Sequence, residues 1–140
     1  MSDPLNEMIC FDVYAANLAV GRLYKPLLDE LGLTYPQYLA LMILWEKDGR
    51  AIGEISGILG LESSTLTPLI KRMEATGLVT RRRDDKDERR VHVFLTDAGR
   101  KIETERLRLT QCVADATGLS FDEFVQLQGL LRKMRKAIQK

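Results

Sequence analysis

Between Ser63 and Gly77 the chain reads Ser-Ser-Thr-Leu-Thr-Pro-Leu-Ile-Lys-Arg-Met-Glu-Ala-Thr-Gly, and no other stretch constrains its fold as tightly. Leu66, Leu69, Ile70 and Met73 recur at the i, i+3, i+4, i+7 spacing that places apolar side chains on one face of a helix. Ser63, Ser64, Thr65 and Thr67 gather small hydroxyls at its start, and Lys71 and Arg72 put cations farther along. Short hydroxyl side chains at a helix N-terminus let the backbone come close to a phosphate or a base edge, and cations neutralise phosphates. Gly77 ends the helix. A β-rich, arginine-rich segment begins at once.

The charge distribution points the same way. The net charge of the 140 residues is only +1, but residues 1–62 carry nine acids and four bases, whereas residues 63–101 carry ten bases and six acids. The basic segment coincides with the helix and the strands that follow, which favours a polyanion as partner. No run of 18 apolar residues is present, so a membrane span is not expected. The N-terminus lacks a basic region followed by an apolar stretch, so no signal peptide is read and a cytoplasmic location is expected. Cys10 and Cys112 lie 102 positions apart and do not form a disulfide framework.

The remaining elements follow from caps and periodicity. A first helix is expected over residues 5–30, with a kink at Pro26. Thr34 and Gln37 form a Thr-x-x-Gln capping box that opens a helix over 35–48. A short helix runs through Ile52–Ser56, and Gly60 separates it from the helix at 63–77. Leu78–Arg82 and Arg90–Leu95 are two strand runs flanking a charged tip, and so read as an antiparallel hairpin. Thr96 caps one long helix reaching residue 116, and Ser120 with Glu123 opens a last one with Leu127, Leu130, Leu131, Met134 and Ile138 as its stripe. The expected fold is therefore mainly α with a small β-hairpin wing. Residues 35–95 make a winged helix-turn-helix, and residues 1–34 and 97–140 supply amphipathic dimerisation helices to a single domain of 140 residues. A dimer would set two reading helices one DNA turn apart, roughly 34 Å, on a two-fold symmetric duplex.

Candidate chemistry is sparse. His92 is the single histidine and no Cys-x-x-Cys pair exists, so neither a metal site nor a Ser-His-Asp site is expected. His92 alternates with Val91 and Val93 and is expected on the outer face of a hairpin strand. Arg89, beside Asp87 and Glu88, is placed where a wing enters a narrow minor groove, with the acids holding its side chain. Taken with their neighbours alone, Cys10 and Cys112 read as small packing residues. A reactive thiol needs donors or positive charge around it. Tyr14 lies one turn from Cys10, whereas Tyr24 is about 21 Å along a straight helix. Tyr24 reaches Cys10 only from another chain or if the helix folds back.

On Leu61–Glu74, Gly77–Arg81, Asp87–Val91 and Leu95–Gly99 the chain resembles the MarR family of dimeric winged-helix repressors. The Asp-x-Arg wing is a general feature of that family. On Cys10-Phe11, Tyr24–Leu28 and Leu33–Leu39 it is similar, more narrowly, to the organic-hydroperoxide repressors of the OhrR group. That resemblance implies a redox sensor at Cys10, hydrogen-bonded by Tyr24 and Tyr35 of the partner subunit. It implies a repressor that holds a double-stranded operator when reduced and leaves it when organic hydroperoxide oxidises Cys10. It implies DNA contacts from Ser63, Ser64, Thr65, Thr67, Lys71, Arg72 and Arg89, no cofactor and no enzymatic activity. Two positions depart from the pattern. Asp12 is an acid close to the sensor, but about 200° around the helix from it. The resolving cysteine of two-cysteine members falls at Asp115 here, so the resemblance leaves two routes open: Cys112, one turn earlier, as the resolving thiol, or a one-cysteine sensor that uses a cellular thiol. Two rivals remain: a MarR-like repressor gated by a small aromatic ligand, and a thiol peroxidase using Cys10.

Overall fold

The computed structural model describes residues 4–139. The chain divides into two compact units, Met1–Arg106 and Leu107–Lys140. The first begins with a 3-10 turn at Pro4–Glu7 and a long helix α1 (Ile9–Asp29). The single helix expected over 5–30 is thus two pieces. Pro26 sits inside α1 without ending it.

Helix α2 (Tyr35–Glu46) starts at the expected box. Thr34 Oγ1 accepts from the Gln37 backbone N–H at 3.3 Å, and Gln37 Oε1 accepts from the Thr34 N–H at 3.1 Å. It ends two residues short of the expected 48. It packs against α1, α3 (Ile52–Leu59), α4 (Ser63–Ala75) and the second strand. That central position explains why Tyr38, Ala40, Leu41, Ile43 and Leu44 are all buried, on more than one face of the helix. Leu66, Leu69, Ile70 and Met73 of α4 join the same core, as their spacing requires.

The end of α4 sets the start of the wing. Gly77 has φ +82°, a left-handed conformation that costs glycine least. Its N–H donates to Glu74 O at 3.0 Å and the Leu78 N–H to Met73 O at 2.9 Å. These two bonds satisfy carbonyls of the last turn and launch strand β1 (Val79–Arg83) directly from the helix. Strand β2 (Val91–Leu95) returns antiparallel, with Val79 opposite Leu95 and Arg83 opposite Val91. The far edge of β2 also pairs briefly with the α2–α3 loop. Ala51 bridges His92, and the Val93 N–H donates to Arg50 O at 2.9 Å.

Thr96 caps α5 (Asp97–Lys101) as expected, its hydroxyl accepting from the Gly99 N–H at 3.1 Å. The single long helix expected from there to 116 is interrupted. A 3-10 turn occupies Ile102–Glu105, and α6 (Arg106–Ala116) follows. Over this turn two ladder carbonyls accept from side chains. Gly99 O takes the Trp45 indole N–H at 2.9 Å, and Lys101 O takes the Thr104 hydroxyl at 2.9 Å. Such competition tightens or bends a helix. In the second unit, α7 (Phe121–Ile138) opens with the Ser120–Glu123 capping box. Among the described residues no helix is long and apolar enough to cross a membrane.

Candidate nucleic-acid interface and thiol site

Helix α4 presents Ser63, Ser64, Thr65, Lys71 and Arg72 exposed, with Thr67 half-buried. Its N-cap residue, Glu62, makes no side-chain cap bond. The first-turn N–H groups therefore keep the partial positive charge that attracts anions. Ser63 and Thr67 border a groove of about 610 Å³ that Arg81, Arg89 and Arg90 of the wing and Glu54 of α3 also line. The structure thus brings two of the helix hydroxyls, Ser63 and Thr67, and three wing arginines to one open groove within the first unit.

Not every arginine there is available. The Arg81 guanidinium lies 3.1 Å from Glu74 Oε1, and its backbone N–H donates to Glu74 Oε2 at 3.0 Å. That double contact ties β1 to α4 and holds the Glu74 carboxyl below the usual carboxylate range. Arg90 reaches Glu54 at 3.6 Å. Arg89 is different: its side chain is 92% exposed, steadied by Asp87 Oδ1 at 3.3 Å from Nε. Of the two acids expected to hold Arg89, Asp87 does so. Glu88 instead accepts from Arg83 through its backbone carbonyl.

His92 lies on the face opposite buried Val93, as the alternation implies, and both of its ring nitrogens are engaged. Its Nδ1 lies 2.9 Å from Gly49 O and its Nε2 2.8 Å from Asp84 Oδ2. The Asp84 contact, then the Gly49 carbonyl, raise its pKa above 6.5, and the same bond lowers that of Asp84. Reading the sequence missed this pair. Asp84 sits in a charge run that looks like a solvated tip, and its partners are eight residues away and beyond.

Both cysteines are exposed, so neither is packed into its own chain as its neighbours alone suggested. Cys10 is the second residue of α1. Tyr24 and Tyr35 stand together away from it. Their ring centroids are 4.8 Å apart, with Tyr38 6.2 Å from Tyr24 and Trp45 edge-on to Tyr38 at 5.9 Å. The capping box at Thr34 places Tyr35 on the first turn of α2, where it meets the ring from α1. Burial, then the neighbouring Tyr35 and Tyr38, push the Tyr24 phenol above 10, so at neutral pH it is a hydrogen-bond donor. A hollow of about 280 Å³ lies beside the pair, lined in part by Gly21, Leu28 and Leu33. Among the described residues no three His, Cys, Asp or Glu side chains gather as metal ligands.

Residues 22–106 match the family described as transcriptional regulator SarA/Rot. Over 131 residues, 94% of this chain and 67% of the relative, the chain is 49% identical to the HTH-type transcriptional regulator TtmR of Methylorubrum extorquens. It is 39% identical over 127 residues to the organic hydroperoxide resistance transcriptional regulator of Bacillus subtilis, covering 91% of this chain and 86% of that one. Reduced AbfR bound to DNA superposes with a TM-score of 0.81 at 29% identity, over 96% of this chain and 92% of that one. With the helix, the hairpin and the groove between them already in place, the chain belongs to the SarA/Rot family of MarR-like winged-helix transcriptional regulators.

Proposed function

We propose that this chain is a homodimeric repressor that releases a two-fold symmetric DNA operator when organic hydroperoxide oxidises Cys10. The observation that carries this reading is the separation of thiol and phenols within one protomer. Tyr24 and Tyr35 converge at 4.8 Å. Cys10 is exposed 14 residues earlier on the same helix, about 21 Å away along it. The phenols of one subunit can therefore serve only the sulfur of another. The apolar exposure of Ile9, Val13 and Leu18 on α1, and of Phe121, Leu127 and Leu130 on α7, gives those helices faces that a second copy would cover. The 39% identity to an organic hydroperoxide resistance regulator supports the choice of signal.

In this mechanism the Cys10 thiolate attacks one oxygen of the hydroperoxide bond. An S–O bond forms, the O–O bond breaks, and the departing alkoxide takes a proton to leave as the alcohol. Sulfur is oxidised to a sulfenic acid. A second thiol, from Cys112 or a small cellular thiol, then displaces that oxygen as water and forms a disulfide. Tyr24 and Tyr35 donate to the thiolate beforehand and lose that geometry once the sulfur carries oxygen. Release needs a coupling of only about 3 kcal/mol to weaken binding a hundredfold. On the DNA, Ser63, Ser64, Thr65, Thr67, Lys71 and Arg72 face bases and phosphates, and Arg89 enters the minor groove.

The test uses a duplex selected by the protein from a random-sequence pool. Cys10→Ser should bind it as wild type does and stay bound when cumene hydroperoxide is added. Release of this variant as readily as wild type would refute the sensor. The hollow beside Tyr24 and Tyr35 supports a second reading, a repressor gated by a small aromatic ligand. Release by phenolic acids and not by peroxide, independent of Cys10, would select that reading.

A further inference from the structure

Asp84 organises the turn at the wing tip. Asp84 Oδ1 accepts from the Lys86 N–H at 2.8 Å and the Asp87 N–H at 3.3 Å, and the Asp84 N–H donates to Arg90 O at 2.8 Å. Asp87, placed by that turn, accepts from the Arg89 N–H at 3.0 Å and steadies the Arg89 side chain. The other carboxylate oxygen of Asp84 faces His92 Nε2. The opposite ring nitrogen faces Gly49 O, in the loop that follows α2.

That loop is held from two sides. Gly49 has φ +76°, and the Phe94 ring packs so close that a Cβ there would lie 2.8 Å from it. Asp48 accepts from the Leu95 N–H at 2.9 Å and binds Arg100 at 2.7 Å. His92 therefore joins the tip of the hairpin to the loop between α2 and α3. Both of its partners are acceptors. A neutral imidazole carries one N–H and can serve only one of them, whereas the imidazolium donates to both. We propose that His92 is a positioning residue for the wing: its imidazolium, donating at once to Gly49 and Asp84, fixes the tip that presents Arg89, so operator binding weakens when the ring loses its proton.

The charges around the ring fit this role. On the wing, Asp84 favours the cation and Arg90 opposes it. Arg82 stacks on Phe94 at 3.9 Å and Arg83 donates to Glu88 O. From the loop, Asp48 is held by Leu95 and Arg100, and Arg50 turns to Ile43 O, Glu46 and Glu54. The balance raises the folded-state pKa, so the stabilising contribution is complete below pH 6.5 and is lost as the pH rises through the higher folded value.

The proposal rests on the wing being a DNA contact, and the experiment separates the two. Affinity for a duplex selected from a random pool is measured under reducing conditions in wild type, His92→Gln, Asp84→Asn and Arg89→Ala. Wild type should bind about fivefold tighter near pH 6 than near pH 8.5, with the midpoint above 6.5. His92→Gln should be flat across that range. Asp84→Asn keeps the acceptor for Lys86 and Asp87 but loses the charge, and should move the midpoint to lower pH together with the His92 ring titration read by NMR. A purely structural histidine would not move that midpoint. Identical profiles for wild type and His92→Gln, or an unmoved midpoint in Asp84→Asn, overturn the proposal while leaving the wing reading intact. Unchanged affinity in Arg89→Ala overturns the wing reading itself, whatever the pH profiles.

Discussion

Replacing Arg89 by alanine removes a fully displayed guanidinium of the wing tip without touching the backbone hydrogen bonds that shape it. The turn depends on backbone donors to Asp84 and Asp87, and those survive the truncation. Only the 3.3 Å contact from Nε to Asp87 is lost, at a side chain already 92% exposed. Folding stability should therefore stay within about 0.5 kcal/mol of wild type. DNA binding should not. A dimer carries two wings, and each phosphate-neutralising cation contributes about 0.9 to the slope of log affinity against log salt. Losing both Arg89 side chains should flatten that slope by about 1.8. Between about 50 and 200 mM salt, the wild-type advantage should then shrink by roughly tenfold. Fluorescence anisotropy of a labelled selected duplex, titrated at four salt concentrations, reads both quantities. Parallel salt plots for wild type and variant would show that Arg89 meets no phosphate field and refute the wing contact.

Gly99→Ala tests the seam between α5 and the wing root. A methyl there would collide with the Leu78 carbonyl oxygen and crowd Leu95 at 3.3 Å. It should cost about 1–3 kcal/mol, seen as a lower urea midpoint at unchanged slope; an unmoved midpoint would refute the close packing. Tyr24→Phe and Tyr35→Phe remove donors proposed to act on the partner's thiolate. Each should leave DNA affinity intact and slow single-turnover sulfenylation of Cys10 by about ten- to a hundredfold; wild-type rates in both would dismiss the shared pocket.

What the sequence made legible follows the range of the interactions concerned. The buried stripe of α4 and the boxes at Thr34 and Ser120 involve residues three to seven apart, and each appears where the spacing put it. The break at Ile102–Glu105 was not legible. Ile-Glu-Thr-Glu contains no breaker, and the contact that accompanies the break, an indole donating to the Gly99 carbonyl, comes from 54 positions away. The Tyr24–Tyr35 contact joins two helices and could be anticipated only through resemblance to a family. The anchoring of His92 was hidden for the same reason: Gly49 is 43 positions distant, and alternation along β2 says which face a side chain takes but not what waits there.

The cations of the basic segment show why a charge count cannot separate structural cations from free ones. Ten Lys and Arg side chains lie between residues 63 and 101. Arg81, Arg90 and Arg100 are paired to Glu74, Glu54 and Asp48. Arg82 stacks on a ring and Arg83 serves a carbonyl of the tip. Each of these five fastens β1, the tip, β2 or α5 to its neighbour. Lys71, Arg72, Lys86 and Lys101 form no ion pair among the described residues, and Arg89 is tethered but exposed. Half of the basic patch thus gives the wing its shape, and the other half takes no part in that fastening. A charge count merges the two sets. Only the geometry separates the arginine that can leave its carboxylate for a phosphate from the arginine whose departure would undo the hairpin.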